Sequence, residues 1–310
     1  MPLQRVLEAL DLLDGWVTGD DAAEFLERRG LEVETTDAES EEGRTTFLRV
    51  VVPGAAGRTA GGDARTTGII GRLGGIGARP NAVGMVSDAD GAVAAIACAL
   101  KLAEMRRRDD VLAGDVIITT HVCPDAPTQP HEPVPFMGTP VPMEDMNRHE
   151  VHPDVDAILS IDATKGNRIV NHRGFAITPT VKQGYILPVA PGLIDLYEWV
   201  TGRPAVVVPL STFDITPYGN GLYHVNSILQ PAVATEAPVV GVALTAETAV
   251  PGSATGANHP ADLADAVRYC IEAAKAFGAD LLDLYDADEF DHAVALYGPM
   301  TRLQTHGGEP

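Results

Sequence analysis

The chain has little positive charge, few cysteines and no long apolar run. Its 310 residues carry 22 lysines and arginines against 43 aspartates and glutamates, which gives a formal net charge of −21, and lysine is scarce. Because phosphate groups bind to basic surfaces, this balance argues against nucleic acid and anionic membranes as partners. The acidic excess is compatible with a salt-adapted host.

A membrane-spanning helix needs roughly 18 consecutive apolar residues, and no run in the sequence approaches that length. The N-terminal segment MPLQRVLEALDLLDG is amphipathic and unlike a secretion signal. We therefore expect a cytoplasmic protein. A hydrophobic fraction of 45% is that of an ordinary globular protein with a substantial core.

The cysteines form no CxxC pair and suggest no disulfide framework. Cys98 and Cys270 fall on the apolar faces of predicted helices, which is typical of core residues. Cys123 has polar neighbours, so it is either a strand-end residue or a candidate ligand or reactive thiol.

Strands and helices are predicted to alternate along the chain. β-Branched and apolar runs predict strands at residues 47–53, 116–120, 157–161, 205–210 and 238–244, with a strand-rich stretch at 174–188. Helical periodicity predicts helices at residues 91–108, 193–200 and 261–277. This alternation predicts an α/β fold with a mixed, mostly parallel sheet and helices on both faces.

The N-terminal region is predicted to differ from the rest. Residues 2–30 read as two short helices outside the sheet, and residues 34–45 as an acidic, irregular linker. We therefore divide the chain into a helical hairpin with linker, residues 1–45, and a single α/β domain, residues 46–310. The hairpin is a candidate contact of a homo-oligomer.

Residues 83–127 contain polar groups at two places where α/β proteins bind ligands. Asp88 and Asp90 stand in a loop that opens into a helix, and the strand at 116–120 ends on His121, Cys123 and Asp125. Both places lie along the ligand-binding edge of an open α/β sheet. The alternative is structural: either aspartate caps the helix, and His121 is an ordinary polar residue at a strand end.

Two further residues share this context. Asp162 follows the strand at 157–161, and His259 precedes the last predicted helix. With Asp88 and Asp125 they supply three carboxylates and an imidazole, a set that suits a divalent metal, most simply zinc or else manganese. Each residue taken singly is as well explained by a structural role.

Two loops are candidates to cover this edge. Residues 124–151 are rich in Pro, Met and His. Residues 212–227 are predicted to form a polar loop with several glycines, which either remains a loop or continues into a helix. The glycines at 68–77 indicate close backbone approach, but the sequence lacks the ending of a phosphate-binding loop.

Together these motifs resemble a known superfamily. An Asp that precedes a helix (SDADG), an acid after one strand, an Asp after the next (LSIDAT) and a late His (NHPADL) resemble the di-zinc aminopeptidases and deacylases. The resemblance implies that Asp88 bridges metals and that Asp125, Asp162 and His259 bind metal. The stretches GIIGRLGGIGARPNAVGMVSDADGA, THVCPDAPTQPHEPVPFMG and DITPYGNGLYHVNSILQP look more closely like an uncharacterised prokaryotic family of unknown function related to these peptidases.

Two departures from the superfamily affect the chemistry. Its His-x-Asp is replaced by Arg72-Leu73-Gly74, and its catalytic Glu falls on Pro124, which cannot accept a proton. His121 could act instead as a base or additional ligand. Candidate substrate-binding residues are Arg72, Lys165 and His224, the first two for a carboxylate; His131 is a further histidine of the predicted covering loop.

The resemblance implies a metal-dependent hydrolase of an amide-type bond in a small peptide or N-acyl amino acid. The missing His and Glu favour an alternative, a metal- or ligand-binding protein on the same scaffold without hydrolytic activity. A third hypothesis is isomerisation or cyclisation at the same site, with Cys123 or Lys165 taking part. Superfamily members often assemble, so the resemblance also favours a homo-oligomer.

Overall fold

A computed structural model describes residues 1–72, 74–76, 85–130, 136–165, 169–247 and 259–304. The helices are α1 (Pro2–Leu12), α2 (Gly19–Glu27), α3 (Asp90–Arg106), α4 (Met143–Glu150), α5 (Pro191–Thr201), α6 (Pro260–Gly278) and α7 (Ala287–Tyr297). The strands are β1 (Val33–Ser40), β2 (Gly43–Val52), β3 (Thr67–Gly71), β4 (Val116–Val122), β5 (Thr128–Gln129), β6 (Phe136–Met137), β7 (Ala157–Ala163), β8 (Gly174–Ile177), β9 (Thr180–Lys182), β10 (Tyr185–Leu187) and β11 (Val239–Thr245). Single 3-10 turns span Arg58–Ala60, Ser87–Ala89, Thr212–Ile215, Gln230–Val233 and Thr301–Leu303.

Within the described residues, all strands except β5 and β6 form one mixed sheet. Its order is β1-β2-β4-β3-β7-β11-β9-β10, and β8 also pairs with β11. The central strands β4, β3, β7 and β11 run parallel, whereas β1, β2, β8, β9 and β10 pair antiparallel. The predicted α/β fold with a mostly parallel central sheet is therefore confirmed.

Successive residues of the central strands face opposite sides of this sheet. Ile69 packs into the core beneath α1, α3, α5 and α6, whereas its neighbour Ile70 packs with Ile215, Ile228 and Leu229 on the other side. The second face is covered by α4 and by 3-10 turns rather than by a full helical layer. None of the described helices combines the length and apolar character needed to span a membrane.

The acidic segment 34–45 was predicted to be irregular, and this prediction is wrong. Its residues form most of β1 and the start of β2, paired in register from Val33 with Val50 to Ser40 with Gly43. Arg49 bonds Glu34, and Arg44 bonds Asp37. Opposite charges across adjacent strands stabilise the pairing, and a charged edge strand resists pairing with other chains.

The strand predicted at residues 205–210 is reduced to a single bridge between Val207 and Ile177. Two main-chain hydrogen bonds form this bridge: Ile177 N–H donates to Val206 O at 3.0 Å, and Val208 N–H donates to Ile177 O at 2.8 Å. Pro209 has no N–H to extend the ladder. Residues 212–227 likewise form one 3-10 turn and a loop, not a helix.

Gly91 lets the N-terminus of α3 meet the ends of two central strands. A Cβ at this position would lie 2.1 Å from the carbonyl oxygen of Arg72 and 2.7 Å from that of Ile161. The close backbone approach expected from the glycine-rich region is therefore real, and it brings the SDADG motif to the carboxyl edge of the parallel strands.

Candidate functional site

The candidate site lies where β3 and β7 end and α3 begins. Asp88 and Asp90 come from the 3-10 turn and first residue of α3, and that turn packs against β7, which carries Asp162. Lys165 follows two residues after β7. We call these four residues the strand-end site. Carboxyl ends of parallel strands meet at one edge, so residues distant in sequence become neighbours there.

Asp162 is wholly buried and hydrogen-bonded through both carboxyl oxygens. Ala163 N–H donates to Oδ1 at 2.7 Å, and the Ser227 hydroxyl donates to Oδ2 at 2.6 Å. Burial raises the pKa of Asp162 to about 7, with the nearby charge of Asp88 adding to the rise and Arg72 opposing it. The carboxyl group therefore exchanges a proton near neutral pH.

Asp88 is the second carboxylate at this edge. It is 9% exposed and lies close enough to Asp162 for the two like charges to interact. A divalent cation between two such carboxylates would relieve their repulsion, and carboxylate oxygen is a donor that both manganese and zinc accept.

Lys165 lies against α3 at the same edge. Its ammonium nitrogen contacts the Asp90 carboxylate, and both side chains are buried. The charge that was predicted to bind a substrate carboxylate thus has a carboxylate partner within the chain.

Arg72 follows β3 directly and is also wholly buried. Its guanidinium lies 2.9 Å from a Glu150 oxygen, with Nη2 donating to Asn147 and Nε without a hydrogen-bond partner. Its main-chain N–H donates to Ile161 O at 2.8 Å. As arranged, Arg72 holds α4 against the sheet rather than facing solvent.

His121, the predicted base, lies on β4 beside this ion pair. Gly74 N–H donates to Nε2 at 2.9 Å, so the ring proton lies on Nδ1, which contacts Glu150 at 2.7 Å. Both ring nitrogens are therefore engaged in a buried network. Proton abstraction by His121 would first require the bond from Gly74 to open.

The remaining predicted ligands, Asp125 and His259, are both exposed. Asp125 is exposed, and its Cβ lies 3.9 Å from an ideal Cβ on Gly43 at the β1–β2 turn. His259 is exposed at the N-cap of α6 and lines a small depression together with Asp90 and Lys165. Across the described ranges, no three His, Cys, Asp or Glu side chains form a group that could hold a metal ion.

Other sequence candidates have separate places. Cys123 is buried, with its thiol 3.4 Å from Arg44 O, and Cys98 and Cys270 are core residues as predicted. The ring nitrogens of His224 lie near loop carbonyl oxygens, to which they can only donate: Nδ1 is 3.0 Å from Leu222 O, and Nε2 is 3.0 Å from Thr216 O. His131 and Leu73 lie outside the described residues, as does part of the predicted covering loop.

Three residues of this region were not predicted from the sequence. Glu150 joins Arg72 to His121, Ser227 bonds Asp162, and Tyr218 stacks on His224 with ring centroids 4.5 Å apart. The polar loop at 212–227 had been singled out, but no spacing within it distinguishes Ser227 or Tyr218.

Comparison with known proteins gives a family and a fold. The sequence model of the family "Protein of unknown function (DUF1177)" matches residues 36–307, so the chain belongs to that family. No curated protein matches the sequence. Among solved structures, the chain is similar to the "Bottromycin maturation enzyme BotP in complex with Mn", with a TM-score of 0.54 and 12% identity over 87% of this chain and 70% of that one. At this identity the likeness concerns the fold.

Proposed function

We propose that this member of the DUF1177 family is a metal-dependent hydrolase of an amide-type bond in a small peptide or N-acyl amino acid. The observation that carries the proposal is the juxtaposition of Asp162 and Asp88 at the carboxyl edge of the parallel strands. The fold shared with BotP, whose structure contains manganese, supports a divalent metal.

Asp88 and Asp162 would hold the metal, with Asp125 and His259 as the further ligands expected from the sequence. When bound, the metal would polarise the scissile carbonyl and acidify a water molecule. The oxygen donors favour manganese at least as well as zinc. Because no three such side chains form a metal-holding group among the described residues, binding through Asp125 or His259 would require these side chains to rearrange.

The chain's own residues supply the rest of the chemistry. Ser227 and Ala163 orient the Asp162 carboxyl group, which would release its proton on binding the metal. Lys165 fixes Asp90 at the start of α3. His121 keeps its predicted role as a base only after exchanging its bond to Gly74.

The experiment combines metal binding with turnover. Protein purified without chelator is analysed for bound metal, titrated with Mn²⁺ and Zn²⁺ by calorimetry, and assayed on a panel of N-acetyl amino acids and dipeptides. Asp88→Asn and Asp162→Asn should each lose metal and turnover while remaining folded. Asp11→Asn, an exposed aspartate on α1, is the matched control.

The further ligands are tested in the same assay by Asp125→Asn and His259→Ala. A loss of metal affinity in either variant adds that residue to the ligand set. Unchanged metal content and full turnover in Asp88→Asn or Asp162→Asn would remove the hydrolase proposal.

A second function, ligand binding without hydrolysis, is favoured by the buried cations. Arg72 is paired with Glu150 and Lys165 with Asp90, so two positive charges are already built into this edge. Pro124 also stands where the superfamily's base is expected. Metal binding without turnover of any panel member would support this function, and chelator-sensitive turnover would eliminate it.

A further inference from the structure

The loop from Thr216 to Gln230 is anchored to the strand-end site at several points. Ser227 bonds Asp162, and the Asn226 side chain bonds Thr164, which follows β7. Three residues after Ser227, Gln230 O accepts from Asn147 at 3.1 Å, and Asn147 in turn accepts from Arg72. The loop is thereby fixed to the ends of both β7 and β3.

Tyr218 is held in place within this loop from two directions. Its main-chain N–H donates to the side-chain oxygen of Gln230 at 3.1 Å, and the Gln230 amide nitrogen donates to Thr216 O at 2.8 Å. Its ring stacks on His224 with an interplanar angle of 24°. Both nitrogens of His224 lie within hydrogen-bond distance of loop carbonyl oxygens, and the neutral ring can donate to one of them, so the loop also restrains this stacking surface.

The Tyr218 hydroxyl, in contrast, has no hydrogen-bond partner in the part of the chain that the structure describes. The residue is half-buried, and its phenol lies within electrostatic range of Asp162, Asp214 and Arg72. The hydroxyl is not among the buried polar atoms that lack a partner, so solvent and a substrate oxygen can reach it. A residue needed only to pack on His224 would not require a hydroxyl there.

We propose that the Tyr218 hydroxyl is a substrate-binding donor of the strand-end site, which hydrogen-bonds an acyl or carboxylate oxygen of the substrate, with His224 as the residue that positions its ring. Burial raises the pKa of Tyr218, and the charges of Asp162 and Asp214 raise it further, so the phenol stays protonated at neutral pH and donates. This inference rests on the proposed function, because it assigns a substrate contact to the same site.

The hydrogen-bonding character of the Tyr218 hydroxyl and the charges near it indicate which ligand atoms it can bind. A carbonyl or carboxylate oxygen only accepts hydrogen bonds, so it complements the protonated hydroxyl of Tyr218. Arg72 adds positive potential in the same region without being exposed. An N-acyl amino acid carries both kinds of acceptor oxygen, so the site can use Tyr218 for either one.

The test uses Tyr218→Phe, which keeps the stacked ring and removes only the hydroxyl. On any panel substrate that the unchanged enzyme hydrolyses, we expect kcat/KM to fall at least about tenfold, approaching the 10²–10³ typical of losing one donor to a developing oxyanion. Tyr297→Phe, which changes an exposed tyrosine at the end of α7, is the control and should keep full activity.

A second measurement follows the tyrosine directly. In protein labelled with ¹³C at tyrosine Cζ, the signal missing from Tyr218→Phe is that of Tyr218. Titration with N-acetyl-L-alanine and with acetate, each with and without diamagnetic Zn²⁺, should shift this signal saturably, and Tyr218→Phe should weaken calorimetric binding of the same probe at least about tenfold.

The outcomes separate this inference from the proposed function. Turnover that is equal in Tyr218→Phe and in the unchanged enzyme overturns the inference and leaves the hydrolase proposal standing. A Tyr218 signal that no probe moves, with no turnover to measure, also overturns it. If the signal moves although neither metal binding nor turnover is found, the proposed function fails and Tyr218 remains a ligand contact.

Discussion

The hydroxyl of Ser227 donates a hydrogen bond of 2.6 Å to Oδ2 of Asp162, although 65 positions separate the two residues. Hydrogen bonds to a carboxylate favour its ionised form, so this bond opposes the burial that raises the pKa of Asp162 to about 7. Ser227 therefore sets how strongly Asp162 holds its proton, and its loss is a direct test of the arrangement.

Ser227→Ala removes this hydrogen bond without opening a large cavity, so we expect the pKa of Asp162 to rise above its value in the unchanged chain. Titration of the side-chain carbon signals of ¹³C-labelled aspartate measures it, with Asp162→Asn identifying the signal. Ser227→Thr keeps the hydroxyl and should restore the lower midpoint. Equal midpoints in the Ala variant and the unchanged chain would show that Ser227 does not act on Asp162.

The raised pKa of Asp162 also predicts how the stability of the metal-free protein depends on pH. Its pKa is raised from 3.8 to about 7 by folding, so its contribution to stability is complete below about pH 4 and is lost as pH rises through about 7. Asp162→Asn stays neutral and lacks this component. Denaturant unfolding in chelator should show the unchanged chain losing a few kcal/mol relative to Asp162→Asn over this range. A pH-independent difference would contradict the assignment.

Two glycines of β3 should differ sharply in their tolerance of alanine. A Cβ on Gly71 would lie 2.3 Å from Gly91 O and 2.6 Å from Ala95 Cβ, whereas on Gly68 it would meet the flexible ends of Val155 and Ile158 at 3.1 and 3.3 Å. Gly71→Ala must therefore push α3 from the sheet and disturb Asp88. We expect it to cost at least about 3 kcal/mol of unfolding free energy, beyond ordinary overpacking.

Gly68→Ala is the matched control in the same strand, and it should cost no more than the usual overpacking penalty because its neighbours can rotate away. Thermal and denaturant unfolding of both variants makes the comparison. Similar losses in the two would indicate that the approach of α3 to β3 is less tight than described.

The buried pair of Arg72 and Glu150 should behave as one unit. Removing one partner of a buried pair leaves an uncompensated charge and typically costs about 3–5 kcal/mol. We therefore expect Arg72→Met and Glu150→Gln each to destabilise strongly, and the double variant to cost clearly less than the sum. A double-mutant cycle by chemical denaturation measures the coupling.

The exposed pair of Arg28 and Glu24 on α2 serves as the reference for this cycle, since pairs in solvent contribute little. Additive effects of Arg72→Met and Glu150→Gln, comparable with those of the exposed pair, would mean that the two charges do not depend on one another.

Local patterns in the sequence identified the central elements of the fold. The apolar runs before His121, Asp162 and Thr245 are β4, β7 and β11, and the periodic segments after Gly91 and His259 are α3 and α6. These predictions succeeded because buried parallel strands and amphipathic helices repeat over residues that are neighbours in the chain. The proximity of Asp88 to Asp162 followed from the same logic, since parallel strands end at one edge.

Segments whose strand formation depends on a neighbouring strand were predicted incorrectly. β1 carries no hydrophobic run and is stabilised by the pairing of its charges with those of β2. The segment at 205–210 has the composition of a strand, but Pro209 lacks the N–H that a ladder needs. Whether a polar segment becomes an edge strand depends on cross-strand partners that local propensity does not contain.

The sequence by itself determined the α/β class, the strand ends that carry carboxylates and the acidic charge balance. Only the tertiary structure decided what each polar group contacts: Arg72 is paired with Glu150, Lys165 with Asp90, and Asp162 is bonded by Ser227. The two members of each pair are separated by 65 residues or more in the sequence. Assembly of the sheet therefore decides which charges become neighbours in the low-dielectric interior. The same assembly brings Tyr218 within electrostatic range of Asp162 and Arg72.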